Sequence, residues 1–156
     1  MAEVEDSSAV GERGCELFLS GLNCAESVLL SNMERLGVQG DWVPRVSSGF
    51  GGGIARTCQV CGALTGSVMA FGWVRGRDSA EDSLDEVYRL GQMLIEEFTS
   101  NYGTTSCAML LDVDLRDEEA RKKARREGVF EQQCARYVEF CARRTAEMLS
   151  GDTPAV

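Results

Sequence analysis

The longest apolar stripe in the sequence constrains the fold most. Between Ser79 and Asn101, apolar residues recur at the three- and four-residue spacing of one helix face, and they are Leu84, Val87, Tyr88, Gly91, Leu94, Ile95 and Phe98. Gly103 provides a stop signal after this stretch. The only two prolines, Pro44 and Pro154, lie outside it. Because a helix with one apolar face must bury that face, the pattern predicts helices packed on helices.

Other segments also have helical patterns, whereas no segment has the alternation typical of a strand. Asn23 and Glu26 form the pattern of a capping box, which predicts a helix from Cys24 to about Arg35. Further helices are predicted from near Cys58 to about Trp73, from Asp117 to Arg126 and from Val129 to Leu149.

The sequence therefore predicts an all-α fold, a single compact helical bundle of about five or six helices. The domain is expected over residues 9–150, with a disordered N-terminus at 1–8 and a flexible tail at 151–156. A stripe of small residues, Gly62, Gly66 and Ala70, is expected to pack either within the chain or against a second copy in a homodimer.

The net charge of −9 argues against nucleic-acid partners and anionic lipid surfaces. The basic residues 121–126 follow Glu118 and Glu119, an order that favours a solvated helix face. The acidic N-terminus does not resemble a signal peptide, and no apolar run approaches the length of a membrane span. We therefore expect a cytoplasmic protein without a membrane span.

Cysteine and histidine contents narrow the chemistry. The chain has seven cysteines and no histidine. In a reducing compartment, this cysteine content indicates redox chemistry or metal binding rather than a disulfide framework. The absence of histidine excludes Ser–His and Cys–His catalysis and mixed Cys/His zinc sites.

Several cysteines lie where helix N-termini are predicted. Cys24 follows Asn23, Cys107 follows the cap residue Ser106, and Cys58 follows Thr57. Free N–H groups at such positions stabilise a thiolate. We therefore expect Cys24 or Cys61 to have a pKa well below the usual value. Cys61 has no acidic neighbour in sequence and follows Arg56 by five residues, so it is the preferred attacking thiol, with Cys58 or a more distant cysteine resolving the product.

Two short motifs accompany these cysteines. Cys58 and Cys61 form a Cys-x-x-Cys motif, which is typical of a redox dithiol or half of a thiolate metal site, although both could be small core residues. The glycine-rich stretch 49–53 has neither the Rossmann nor the Walker spacing. It is expected to be either a flexible turn or a loop whose Gly51, Gly52 and Gly53 amides approach thiolates or bridging sulfides.

The order of these motifs resembles the C_GCAxxG_C_C family of redox-active proteins, over roughly Val10 to Met148. The resemblance is carried by Asn23-Cys24-Ala25, the stretch from Ser48 to Gly53, Cys61-Gly62-Ala63-Leu64-Thr65-Gly66, Cys107 and Cys134. It implies that Cys24, Cys61, Cys107 and Cys134 form the functional set, as catalytic thiols or as metal ligands. Cys15, Cys58 and Cys141 lie outside that set, and Cys15 and Cys141 are expected to be core residues.

Four converging thiolates suit several functions. They could hold an iron–sulfur cluster of the 2Fe–2S or 4Fe–4S type, or transfer electrons by metal-free thiol/disulfide chemistry. Zinc is the weaker alternative, because structural zinc sites usually use two close cysteine pairs. A helical interaction protein without redox activity is the remaining alternative. A redox role implies an oxidoreductase or electron-transfer protein whose partner is a protein or a small-molecule electron carrier.

Overall fold

The structure of the protein, a computed structural model, describes residues 6–150. Eight α-helices lie within this range: α1 Ser7–Leu19, α2 Cys24–Arg35, α3 Trp42–Ser47, α4 Gly62–Arg75, α5 Asp85–Tyr102, α6 Cys107–Leu111, α7 Glu118–Arg126 and α8 Ala135–Met148. A 3-10 turn at Ser48–Phe50 follows α3, and a π-helical turn at Phe130–Cys134 precedes α8.

The predicted all-α class is confirmed, since residues 6–150 contain no strand and only one isolated bridge, between Val60 and Ser106. The predicted number of five or six helices is too low. Short helices such as α3 and α6 span too few residues to produce an apolar stripe, so periodicity does not detect them. None of the helices in this range is both long enough and apolar enough to cross a membrane.

Local capping chemistry fixes several helix ends as predicted. The Asn23 side chain accepts a hydrogen bond from the Glu26 N–H at 3.0 Å, and the Glu26 carboxylate accepts one from the Asn23 N–H at 2.8 Å. Ser106 caps α6 by accepting from the Met109 N–H at 3.4 Å. Gly103, in the left-handed conformation, ends α5. Because these bonds satisfy amides or end the helix locally, the sequence alone specifies these boundaries.

Two predicted helix starts are wrong. The helix expected from near Cys58 begins at Gly62, because residues 52–58 form a turn in which Ile54, Ala55, Arg56 and Cys58 have positive φ. The helix expected from Ser79 begins at Asp85. Cys58 therefore does not occupy a helix N-terminus.

Small residues allow the central helices to approach closely. A Cβ at Gly66 would lie 2.6 Å from the carbonyl oxygen of Ala25, and one at Gly14 would lie 2.9 Å from the Ala142 Cβ. The glycines therefore bring α4 against α2 and α1 against α8. Gly66 packs within the chain, and the expected homodimer remains a prediction.

Helix α5 packs against α8 through aromatic side chains. Phe98 and Tyr102 contact Tyr137 and Phe140, with ring centroids 4.9 to 6.1 Å apart. The buried face of α5 is narrower than the apolar stripe predicted from the sequence, since Tyr88 is 59% exposed. Helix α7 lies on the outside as predicted, with Ala124 its only buried residue.

Only some of the predicted domain boundaries lie within the residues that the structure describes. Helix α1 includes Ser7 and Ser8, which the sequence assigned to the N-terminal segment. Predictions for residues 1–5 and 151–156 fall outside the described residues.

Candidate functional site

Four cysteines that are far apart in the sequence line one small cavity. Cys24, Cys61, Cys107 and Cys134, called the cysteine cluster below, surround a volume of about 10 Å³. The other lining residues are Gly62, Leu110, Leu111 and Tyr137. The structure thus brings together all four cysteines of the predicted set.

Each member of the cluster comes from the end of a different element. Cys24 is the first residue of α2, Cys61 directly precedes α4, Cys107 is the first residue of α6, and Cys134 ends the π-helical turn. The cluster therefore lies where several helix ends meet. A Cβ at Gly62 would lie 3.3 Å from the Cys24 Sγ, so the start of α4 approaches Cys24 closely.

Backbone pairing joins the segment before α4 to the start of α6. The Cys61 N–H donates to the Thr105 carbonyl at 2.9 Å, and the Cys107 N–H donates to the Gln59 carbonyl at 2.7 Å. The Ala108 N–H donates to the Cys58 carbonyl at 3.1 Å. This pairing holds Cys61 and Cys107 near each other. It also uses the first amides of α6, so these two N–H groups are not available to a thiolate.

The glycine turn borders the cluster. Gly51 packs against the Asn23 side chain, and the Gly52 backbone N–H opposes the rise in the pKa of the Cys24 thiol. A Cβ at Gly53, whose φ is +63°, would lie 2.6 Å from the Cys107 Cβ, so only glycine suits this position. An amide of this loop therefore approaches a sulfur. That Gly51, Gly52 and Gly53 bind a cofactor stays a prediction.

Burial dominates the ionisation of Cys24. Burial raises the pKa of this thiol, while the N–H groups of Gly52, Cys24 and Ala25 oppose the rise by hydrogen bonding to the sulfur. Glu26 adds a smaller repulsion that raises the pKa further. The residue as a whole is half-buried and lines both this cavity and a larger one.

Burial also raises the pKa of the other cluster thiols. The pKa of Cys107 rises to about 12, and those of Cys61 and Cys134 rise strongly. In all three, repulsion by the Cys24 thiolate is the next cause. The predicted low pKa of Cys24 or Cys61 is therefore wrong, because the desolvation of a buried charge outweighs the amide hydrogen bonds.

Cys58 lies beside the cluster and not in it. Its half-buried Sγ accepts a hydrogen bond from the Leu115 N–H at 3.4 Å, and it lies within hydrogen-bonding distance of the Cys107 side chain. The Cys-x-x-Cys pair thus has its first sulfur near Cys107 and its second in the cavity. Cys141 is fully buried in the main core, whereas Cys15 is half-buried on α1.

A larger cavity of about 660 Å³ opens beside the cluster. Cys24, Cys107 and Cys134 line it, so these three side chains separate the two cavities. Its wall also includes Arg56, Arg121, Arg125, Phe18, Leu111, Leu115, Phe130 and Glu131. Sequence reasoning missed this wall, since the basic residues of α7 suggested only a solvated face.

The cysteine cluster as placed does not form a metal site. Among residues 6–150, no group of three or more Cys, Asp or Glu side chains has an arrangement suited to a metal ion. The cavity between the four cysteines, at about 10 Å³, is at the lower limit for holding one water molecule. That the four cysteines bind an iron–sulfur cluster or zinc stays a prediction.

Comparison with known proteins identifies a family. The family model described as "Putative redox-active protein (C_GCAxxG_C_C)" matches residues 22–148, which is most of the chain and includes all four cluster cysteines. No curated protein and no solved structure matches the chain.

Proposed function

Because the chain belongs to the C_GCAxxG_C_C family, we propose that it transfers two electrons at a time through the cysteine cluster. The cluster passes between a dithiol and a disulfide. This makes the protein an oxidoreductase or an electron-transfer protein whose electron carrier is a thiol pair.

The convergence of the four cysteines is the observation that carries this proposal. A disulfide requires Cα atoms within about 7 Å, so its partners must be adjacent in the fold. Cys24, Cys61, Cys107 and Cys134 all line one cavity of about 10 Å³. Because the four thiols share one cavity, we infer that Cys24 can form a disulfide with another member of the cluster.

Cys24 is the member best suited to attack. It lines the larger cavity, which gives a substrate access, and three N–H donors favour its thiolate. Cys61, preferred from the sequence alone, is buried and lines only the small cavity. We therefore assign the first bond to Cys24 and the second to one of its three neighbours in the cluster.

The reaction balances with a small disulfide as the oxidant. The Cys24 thiolate attacks one sulfur of the substrate disulfide, which forms a mixed disulfide and releases one thiolate. A second cluster thiol attacks Cys24, which forms the protein disulfide and releases the other half of the substrate. The protein dithiol loses two electrons, and its two protons end on the two thiol products.

Replacing Cys24 tests this assignment. We expect Cys24→Ser to slow single-turnover oxidation of the reduced protein by a small disulfide by about 100-fold, because a serine hydroxyl cannot replace the thiolate. Cys15→Ser is the matched control, since Cys15 lies on α1 and lines neither cavity. Peptide mapping of oxidised wild-type protein should locate one new disulfide between Cys24 and a cluster partner.

Equal oxidation rates in the Cys24→Ser and Cys15→Ser proteins would contradict the proposal. A disulfide that forms only between Cys58 and Cys107 would instead move the reaction to that adjacent pair.

The visible spectrum separates the dithiol proposal from an iron–sulfur cluster. We expect anaerobically purified protein to be colourless, because thiols and disulfides, unlike an iron–sulfur cluster, do not absorb visible light. Metal analysis of the same sample should find less than one equivalent of zinc. A brown sample with charge-transfer absorption would instead establish the iron–sulfur alternative.

A further inference from the structure

We infer that the larger cavity binds a small anionic molecule with an apolar body, and that this molecule is the disulfide or thiol with which the cluster exchanges electrons. The redox role of this molecule rests on the function proposed above. Its binding as an anion is inferred from the charges, the walls and the size of the cavity alone.

The charges of the cavity are opposite to that of the chain. Arg56, Arg121 and Arg125 line it, and Glu131 is the only carboxylate among its described lining residues, although the chain has a net charge of −9. Local positive charge of this kind attracts anions, and it does so most strongly at low ionic strength.

These arginines are not neutralised by neighbouring carboxylates. Arg56 and Arg125 make no ion pair or side-chain hydrogen bond with any residue of the range 6–150, and Arg121 donates only to the Leu115 carbonyl. By contrast, Lys122 on the same helix pairs with Glu118 at 3.0 Å. The α7 side chains at the cavity therefore keep their hydrogen-bonding capacity for a ligand.

The rest of the wall suits an apolar body with a reactive end. Phe18, Leu111, Leu115 and Phe130 supply apolar surface, and the volume of about 660 Å³ lies in the range of small-molecule sites. Arg56 and Arg125 are exposed, whereas Cys107 and Cys134 are buried. A ligand with its anionic group on the arginines would thus direct its other end toward the sulfurs.

Binding can be measured without thiol chemistry. The probe is anilinonaphthalene sulfonate, an apolar fluorophore with one anionic group. We expect Arg56→Gln/Arg125→Gln to weaken its binding about fivefold, because two exposed charges that face one anion are lost. Arg45→Gln/Arg126→Gln is the matched control, since it changes the net charge equally at exposed residues that do not line the cavity. Equal affinity in the two double variants would overturn the anion site.

Two disulfides, one anionic and one neutral, test whether the molecule bound by the arginines is the one that reacts with the cluster. We compare the oxidation rates of the reduced protein by dithiobis(nitrobenzoate), which is anionic, and by dithiodipyridine, which is neutral. The ratio of the anionic to the neutral rate should fall about fivefold in Arg56→Gln/Arg125→Gln and stay unchanged in the control. An unchanged ratio in both variants would overturn the proposed substrate class. The cluster thiols could react with neither reagent while probe binding still depends on the arginines. That result would support the anion site and refute the redox function.

Discussion

The reduced protein should lose roughly 4 kcal/mol of its free energy of unfolding between about pH 9 and pH 10, because four buried thiols resist ionisation in the folded state. Burial raises the pKa of Cys61, Cys107, Cys134 and Cys141 above the value of a free thiol. Above about pH 9 the unfolded chain releases these protons while the folded chain retains them. Each thiol therefore lowers the free energy of unfolding by roughly 1 kcal/mol between pH 9 and pH 10. Below the pKa of the unfolded thiols, this contribution to stability is fully present.

Urea unfolding at pH 8, 9 and 10 under anaerobic, reducing conditions measures this loss. Cys141→Ala is the control, because it removes one of the four thiols and lies outside the cluster. Its loss over the same pH range should be smaller by roughly 1 kcal/mol. A wild-type midpoint that does not change between pH 8 and pH 10 would contradict the burial of neutral thiols.

Gly66→Ala should destabilise the fold by about 3 kcal/mol, because it forces α4 away from α2. The added Cβ would lie 2.6 Å from the Ala25 carbonyl oxygen and 3.2 Å from the Ala25 Cα, both of which are backbone atoms that cannot rotate away. Thermal and urea unfolding of the purified variant give the magnitude.

Gly72→Ala is the matched control for this prediction. Gly72 lies on the same helix, and a Cβ there would meet no other atom within 4 Å. The substitution should therefore stabilise the protein by about 0.5–1 kcal/mol, because alanine restricts the unfolded chain more than glycine does. If both variants were equally destabilised, the close contact between α4 and α2 would be wrong.

Features of the fold that depend on local chemistry could be predicted from the sequence. The Asn23–Glu26 capping box, the Ser106 cap and the Gly103 stop each involve residues within a few positions of one another. The family motifs likewise selected the four cysteines that the structure brings together.

The start of α4 could not be predicted, because the turn before it departs from ordinary backbone preferences. Ile54 has a φ of 64°, a region that β-branched residues rarely occupy. This turn is held by bonds such as the Gln59 N–H to the Gly53 carbonyl at 2.8 Å, and it packs on Cys107 from a distant segment. The sequence near Cys58 does not indicate that this turn packs on Cys107.

The direction of the thiol pKa shifts could not be predicted for a related reason. Neighbours in sequence identify the Cys24 and Ala25 N–H groups as donors, but they do not reveal the Gly52 N–H, the depth of burial of a sulfur or which other sulfurs surround it. Burial and the repulsion between cluster thiols both depend on segments that are distant in the chain. The arginine-lined cavity was missed for the same reason, since Arg56 and Arg125 are distant in the sequence and line one cavity only in the folded protein.

The dispersal of the cluster along the chain also bears on how the protein folds. Cys24 and Cys134 lie near opposite ends of the described residues, yet both line the same cavity. Contacts between such distant residues carry a large entropic cost of loop closure and form slowly. A chain still emerging from the ribosome, before Cys134 is synthesised, lacks one wall of the cavity. We therefore expect the complete set of four thiols to assemble late in folding, after α2 and α4 have formed.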